Sequence, residues 1–424
     1  MSDPMYAAIS GLNANQDMLS MVGENIANVD TVGYKSSSMT FEQALQQTLS
    51  GASAPTATLG GINPVQEAAG GAVNVAGVQV NTNEGTLEST GINTNLAIQG
   101  NGYFIVRTPQ GGLAYTRAGD FSLDANGNLV DPNGDLVLGW SSSTIAANGQ
   151  TATNLVPMSV PPNATEPASA STGITFAGNI DSQDTSASIP VTLYDSQGNE
   201  IPVDITFKNP TPTTSGTGTS ATSGMEWTVG YSYTPSGATT PTTGTLGTVN
   251  FASTPPTFTS SGSLTITPTD GSSPMTITLN SGDFAGLSDY AMTTQMTATA
   301  NGNPAGTLEN FTIGSDGTIT GSFSNGGTEV LGQVALANFA NPGGLLNIGN
   351  NLWQQSPNSG SPLVGTASSG QLGSLAAGEL EGSNVNLANE FVNMIEAQEG
   401  YQANSKVISV AQTLDTTLVN MVAP

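Results

Sequence analysis

Carboxylates are the only side chains in this sequence numerous enough to suggest chemistry. Asp124-x-Asn126-x-Asn128, with Asp135 twelfth in the same run, has the oxygen spacing of a calcium loop of the EF-hand type. Such a loop needs glycine at its sixth position, where this one has Leu129, and no amphipathic helix flanks it. A hairpin turn at Asn126-Gly127 is the simpler reading. Asp181, Asp184, Asp195 and Asp283 are candidates for the paired carboxyls of a glycosidase, which stand roughly 5–9.5 Å apart. Nothing in their spacing selects a pair, and scattered surface acids account for them. Gly100-Asn101-Gly102 is too short and too acidic in context to cradle a phosphate, and reads as a turn.

The missing residue types narrow the field further. The chain has no Cys and no His. Thiol nucleophiles, disulfides, iron–sulfur clusters, histidine triads and zinc sites built on His or Cys are excluded. No cofactor, no metal and no enzymatic activity are expected. Lys and Arg number 5 against 31 Asp and Glu, a net charge of -26. Such a chain cannot neutralise a phosphate backbone, so nucleic acid is excluded as a partner. An anionic membrane surface repels it, and no run of 18 apolar residues exists for membrane insertion. The first residues lack the basic and apolar regions of a cleavable signal, so a classical secretory route is not expected.

The elements that must position any function are helical at the ends and β in between. Over residues 4–28, Met5, Leu12, Leu19 and Ile26 fall at heptad spacing, with Ile9 and Val22 widening the stripe. Asp3-Pro4 is a suitable helix start. Over residues 384–422, Leu387, Phe391, Met394, Ile395, Tyr401, Ile408, Leu414 and Leu418 are mostly three or four apart. Gly400 interrupts that helix, at a cost of about 1 kcal/mol relative to Ala. Phe41, Leu45 and Leu49 suggest a short helical turn at 40–49. Two long amphipathic helices cannot bury their stripes without neighbours, so packing between subunits is expected.

In the middle, strands are expected at Leu96–Ile98, Tyr103–Arg107, Phe121–Leu123, Leu129–Val130, Ile189–Tyr194, Ile201–Phe207, Trp227–Tyr233, Ser263–Thr267 and Met275–Leu279. The run Phe121–Leu129 aligns with Phe311–Ile319, each with a turn (Asn126-Gly127, Asp316-Gly317) and a later Leu-Gly. If both copies share one domain, an insertion splits it. The expected fold is multidomain α+β. Residues 1–30 and 378–424 form paired terminal helices, and 31–71 with 366–377 connect. Residues 72–145 with 291–365 form a split β domain, and 146–290 an inserted all-β outer domain.

Four stretches carry a family resemblance. Asn28, Thr31, Gly33, Tyr34 and Lys35, within Ala27–Lys35 after Ser10-Gly11-Leu12, resemble the N-terminal signature of bacterial flagellar rod and hook proteins. Asn95–Phe104 and Tyr115–Phe121 are similar to that family's central motif. Leu380–Leu387 with Tyr401–Lys406 is similar to its C-terminal signature. Val334–Pro342 and the length of the insertion resemble the hook branch. Glu399-Gly400 departs from the Arg-Ala common among relatives.

The resemblance implies a structural subunit that polymerises with itself into a curved, flexible, torque-transmitting tube outside the cell. It implies export through the flagellar type III apparatus without a cleavable signal. It also implies contacts with distal rod, hook cap and hook–filament junction proteins. The polymer interface would comprise Met5, Ile9, Leu12, Leu19, Val22 and Ile26 on the first helix, and Leu387, Phe391, Met394, Tyr401, Ile408, Leu414 and Leu418 on the last. Two alternatives stand beside it: a distal rod subunit, and a secreted acidic β-rich adhesin.

Overall fold

The computed structural model describes residues 3–43, 46–50, 65–68, 73–215, 222–235, 238–268 and 271–422. Helix α1 covers Asp3–Ala27, α2 Ser142–Ala146 and α3 Leu387–Val422. The last helix starts at Leu387 because the Asn386 side-chain oxygen accepts from the N–H groups of Ala388 and Asn389 at 3.1 and 3.2 Å. These donors have no partner inside the helix, and an asparagine cap satisfies them.

Within 40–49, residues 40–43 and 46–49 are extended rather than helical. Ser37–Gln43 pairs antiparallel with Val73–Val80, with a bulge at Thr40/Phe41, and Gln46–Ser50 pairs with Val65–Ala68. A spacing of four is even, so Phe41, Leu45 and Leu49 match the period of a strand as well as that of a helix. Leu45 itself lies outside the described residues. The β-branched partners Val73, Val75, Val78 and Val80 favour the strand.

The chain divides into two compact units, one of Met1–Pro161, Thr312–Thr320 and Val330–Pro424, the other of Pro162–Phe311 and Gly321–Glu329. All the strands expected from the middle of the sequence are found. In the first unit, Tyr103–Arg107 lies between Leu113–Thr116 and Leu136–Ser141. Thr328–Asn338 pairs with Leu136–Ser141, with the start of Tyr103–Arg107 and with Leu363–Thr366. Tyr103–Val106 and Gly332–Ala337 are buried continuously rather than alternately, as suits strands covered on both faces. Phe339 meets Tyr103 and Tyr115 edge-on, with ring centres 6.0 and 4.8 Å away.

The second unit joins a five-stranded antiparallel sheet to a three-stranded one. In Ser186–Tyr194, Ala187, Ile189, Val191 and Leu193 point inward and the residues between them outward. Phe176 packs edge-on to Phe207 and stacks on Phe284, beside the fully buried Trp227.

Both copies of the internal repeat are hairpins of one type. Gly127 N–H donates to Asp124 O at 3.0 Å and Asp124 N–H to Asn128 O at 2.9 Å. Gly317 N–H donates to Gly314 O and Gly314 N–H to Thr318 O, both at 2.9 Å. The glycine φ values are +81° and +84°, so a type I turn is followed by a left-handed residue. The same frame closes Asp131–Asp135 and Asp195–Asn199.

In the loop that resembles a calcium site, Asp124 Oδ1 accepts from the N–H groups of Asn126 and Asn128, and Oδ2 from Asn128 Nδ2. These bonds, that from the Asn128 side chain foremost, hold the carboxyl below its usual value. Both oxygens serve their own turn. Among the described residues no group of three acids is placed to hold a metal.

Candidate functional site

Helices α1 and α3 lie antiparallel, with Gly11 level with Asn404 and Asn15 level with Gly400. The buried residues of α1 are Ala8, Gly11, Ala14, Val22 and Asn25, which are small apart from Val22 and Asn25. On α3, Glu390 and Ala397 are buried, and Asn393, Met394, Gly400, Asn404, Ile408, Ala411 and Asp415 are half-buried, at steps of one to four. Small residues let the two backbones approach. The glycine that weakens α3 by propensity therefore has a steric reason: a Cβ on Gly400 would stand 2.6 Å from Asn15 Oδ1.

The apolar residues read as an interface are largely left open by this pairing. Met5, Leu12, Leu19 and Ile26 are half-buried and Ile9 is exposed, while Val22 is fully buried. Leu387, Phe391, Tyr401, Leu414 and Leu418 are exposed, Phe391 by 51 % and Leu414 by 57 %. At about 100° per residue the exposed apolar residues of α3 form two main stripes. Leu387, Phe391 and Ile395 lie on one flank of the α1 contact. Val392, Val407, Val410, Leu414, Leu418 and Met421 lie on the other, roughly 140° away.

The helix pair is tied to the β structure of its own unit by one buried ion cluster. Lys35 Nζ lies 2.5 Å from Glu381 Oε1, and Arg117 Nη1 lies 3.4 Å from Glu381 Oε2. The Glu381 side chain is wholly shielded from water, and Gly85 N–H also donates to its Oε1 at 2.9 Å. Lys35 donates further to Asn83 O at 2.7 Å, and Arg117 to Gly100 O at 2.7 Å. The Arg117 guanidinium lies 5.4 Å from the centre of the Tyr103 ring. Burial lowers the Lys35 ammonium below the usual lysine value, and Glu381 opposes that shift.

The residues around this cluster are those of the N-terminal motif. Gly33 N–H donates to Glu381 O at 2.7 Å, and a Cβ on Gly33 would stand 2.5 Å from Ala118 N. Tyr34 Oη donates to Asn25 Oδ1 at 3.2 Å, and burial, with Glu24 and Glu390 nearby, pushes its hydroxyl up to about 12. Thr31 Oγ1 donates to Asn28 Oδ1 at 3.1 Å, and Asn28 Nδ2 to Glu24 O at 2.9 Å, closing the end of α1. Asn384 reaches back from the other end of the chain, accepting from Ser36 N–H and donating to Asn81 O and Asn83 O, each at 2.8 Å.

Sequence reading singles out Asn28, Thr31, Gly33, Tyr34 and Lys35, and places their counterparts Arg117, Glu381 and Asn384 within matched motifs without giving them a site role. The scarcity of cations was the available signal. Three of only five basic residues, Lys35, Arg117 and Lys406, stand inside matched motifs, where a lone acid could meet two of them.

Comparison with known proteins covers the same segments. Residues 5–35 match the family model "Flagella basal body rod protein". Residues 97–180 match "Flagellar hook protein FlgE/F/G D1 domain", and 376–421 match "Flagellar basal body rod FlgEFG protein C-terminal". The flagellar hook protein FlgE of Salmonella typhimurium is 34 % identical over 98 % of both chains. That of Borreliella burgdorferi is 32 % identical over 98 % of this chain and 99 % of its own. The crystal structure of Helicobacter pylori FlgE2 shares the fold, with a TM-score of 0.52 at 17 % identity, over 69 % of this chain and all of that one. These end-to-end matches favour neither a rod subunit nor an adhesin, and the three segments matched by family models each supply one residue of the buried anchor: the chain belongs to the flagellar hook protein family.

Proposed function

We propose that this hook subunit polymerises through the two flanks of α3, the paired helices forming the inner wall of a tube. The observation that carries the reading is the pair of exposed apolar stripes on either side of the α1 contact. A single partner covers one flank; two flanks roughly 140° apart call for two neighbours. Contacts made with different faces of identical subunits generate open helical assemblies wherever the rotation does not close into a ring. Met5, Leu12, Leu19 and Ile26 add half-buried apolar surface on α1.

In this reading the β structure of residues 72–145 and 291–365 forms a middle layer, and 146–290 an outer one. The outer domain is polar and nearly uncharged between 209 and 269, and that stretch makes exchangeable contacts, so the tube bends while its wall persists and transmits torque. The subunit reaches its place outside the cell through the flagellar type III apparatus without a cleavable signal. It meets the distal rod, the hook cap and the hook–filament junction proteins at the ends of the tube. The test is electron microscopy of hooks from cells expressing Phe391→Asp or Leu414→Asp. Each variant is expected to abolish tubes while circular dichroism shows the β units folded, because a carboxylate buried without a partner costs several kcal/mol per subunit. Normal tubes from both variants would overturn the reading.

A further inference from the structure

We infer that Asn15 and Asn404 are positioning residues for assembly: each seats its side chain in a glycine notch on the opposite helix, and together they set the axial register of α3 on α1. The inference rests on the reading that the flanks of α3 are subunit contacts.

A Cβ on Gly400 would stand 2.6 Å from Asn15 Oδ1, and one on Gly11 would stand 2.7 Å from Asn404 Nδ2. Both glycines lie within helices, where propensity favours alanine, and neither has the positive φ that would demand glycine. Space is what requires them. Asn15 is not free to swing aside, because its Nδ2 donates to Gly11 O at 2.6 Å. That bond turns Oδ1 towards Gly400.

The two notches are reciprocal and four residues apart on both helices. A slip of one turn in one direction sets Asn15 against Asn404, two side chains competing for one space. A slip in the other sets Gly11 against Gly400 and leaves a void. Only the observed register seats both asparagines. A slip of four residues is about 6 Å of travel, which would carry both apolar stripes out of line with α1 and with the Glu381 anchor.

The chain has no cysteine, so introduced pairs report the register without background. By the same count Met18 is level with Ala397, and one turn away from Asn393 and Tyr401. In the otherwise unchanged full-length protein, Met18→Cys/Ala397→Cys is expected to oxidise to a disulfide, and Met18→Cys with Asn393→Cys or Tyr401→Cys to stay reduced. Adding Gly400→Ala is expected to lower the native cross-link at least about threefold and raise a slipped one. Adding Asn15→Ala as well is expected to restore the native cross-link.

Hooks built from Gly400→Ala protein are expected to change curvature and to recover in the double variant. Should Gly400→Ala fail to fold, Asn404→Ala empties the other notch without adding an atom, and a slipped cross-link is expected there too. Native cross-linking retained in Gly400→Ala, or in Asn404→Ala where that replaces it, overturns the inference. So does a loss that Asn15→Ala fails to restore. Failure of the underlying reading appears elsewhere, as normal hooks from Phe391→Asp and Leu414→Asp.

Discussion

Lys35 and Glu381 are 346 residues apart in the chain and 2.5 Å apart in the folded protein, both shielded from water. The contact closes the first unit by tying the segment after α1 to the segment before α3. Arg117, from the central motif, completes it. All three family motifs therefore contribute one charged residue each to a single cluster.

Glu381→Gln is expected to destabilise the first unit by about 3–5 kcal/mol, since it leaves two buried cations without an anion. Lys35→Met is expected to cost less, because Arg117 still faces the carboxylate. Thermal unfolding of the purified proteins checks the order, and a Glu381→Gln variant that melts like the parent contradicts it.

Glycine replacements in the repeated hairpins are expected to separate conformational strain from crowding. Gly134 has φ +85° with nothing near its missing Cβ, whereas Gly127 has φ +81° and Val160 O at 2.3 Å. Gly134→Ala is expected to cost about 1–2 kcal/mol, the left-handed penalty alone. Gly127→Ala is expected to cost more, because the Val160 carbonyl must also move. Equal urea midpoints for the two variants would show that crowding contributes nothing.

Asp195 is expected to make the second unit acid-sensitive. Burial pushes its carboxyl up, but hydrogen bonds from Asn199, the Gln197 N–H and the Ser272 hydroxyl outweigh that and hold it at about 2. The unfolded value is about 3.9. The folded value is the lower one, so the stabilisation is present above about pH 4 and is lost as pH falls towards 2. Asp195→Asn is expected to be less stable at pH 7 by about 1–3 kcal/mol and to change less between pH 4 and pH 2. Urea midpoints across that range decide it, and parallel pH curves for the two proteins count against the assignment.

The strands and both long helices were legible because their apolar periods are local. So was the repeat at Phe121 and Phe311, since the glycine of each turn is printed in the sequence. The turn at 40–49 misled because a four-residue spacing serves strand and helix alike. The charged anchor was only half visible: Lys35 and Arg117 stand in recognisable motifs, but pairing them with Glu381 needs the chain to close over 346 residues. Gly400 looked like a weakness in α3 because propensity is counted along one helix, whereas its use lies in the side chain of another.

The anchor also changes how this protein presents itself to its own copies. Lys35 and Arg117 are buried, so the countercharge they carry is spent inside the molecule. Only Arg107, Lys208 and Lys406 remain to offset the acids on its exterior. Subunits brought side by side then meet as polyanions, and the apolar flanks of α3 must hold against that repulsion. Repulsion between exposed charges reaches about 10 Å at 0.1 M salt and about 30 Å at 0.01 M. The assembled tube is in this sense a polyelectrolyte, whose cohesion depends on the small cations dissolved around it.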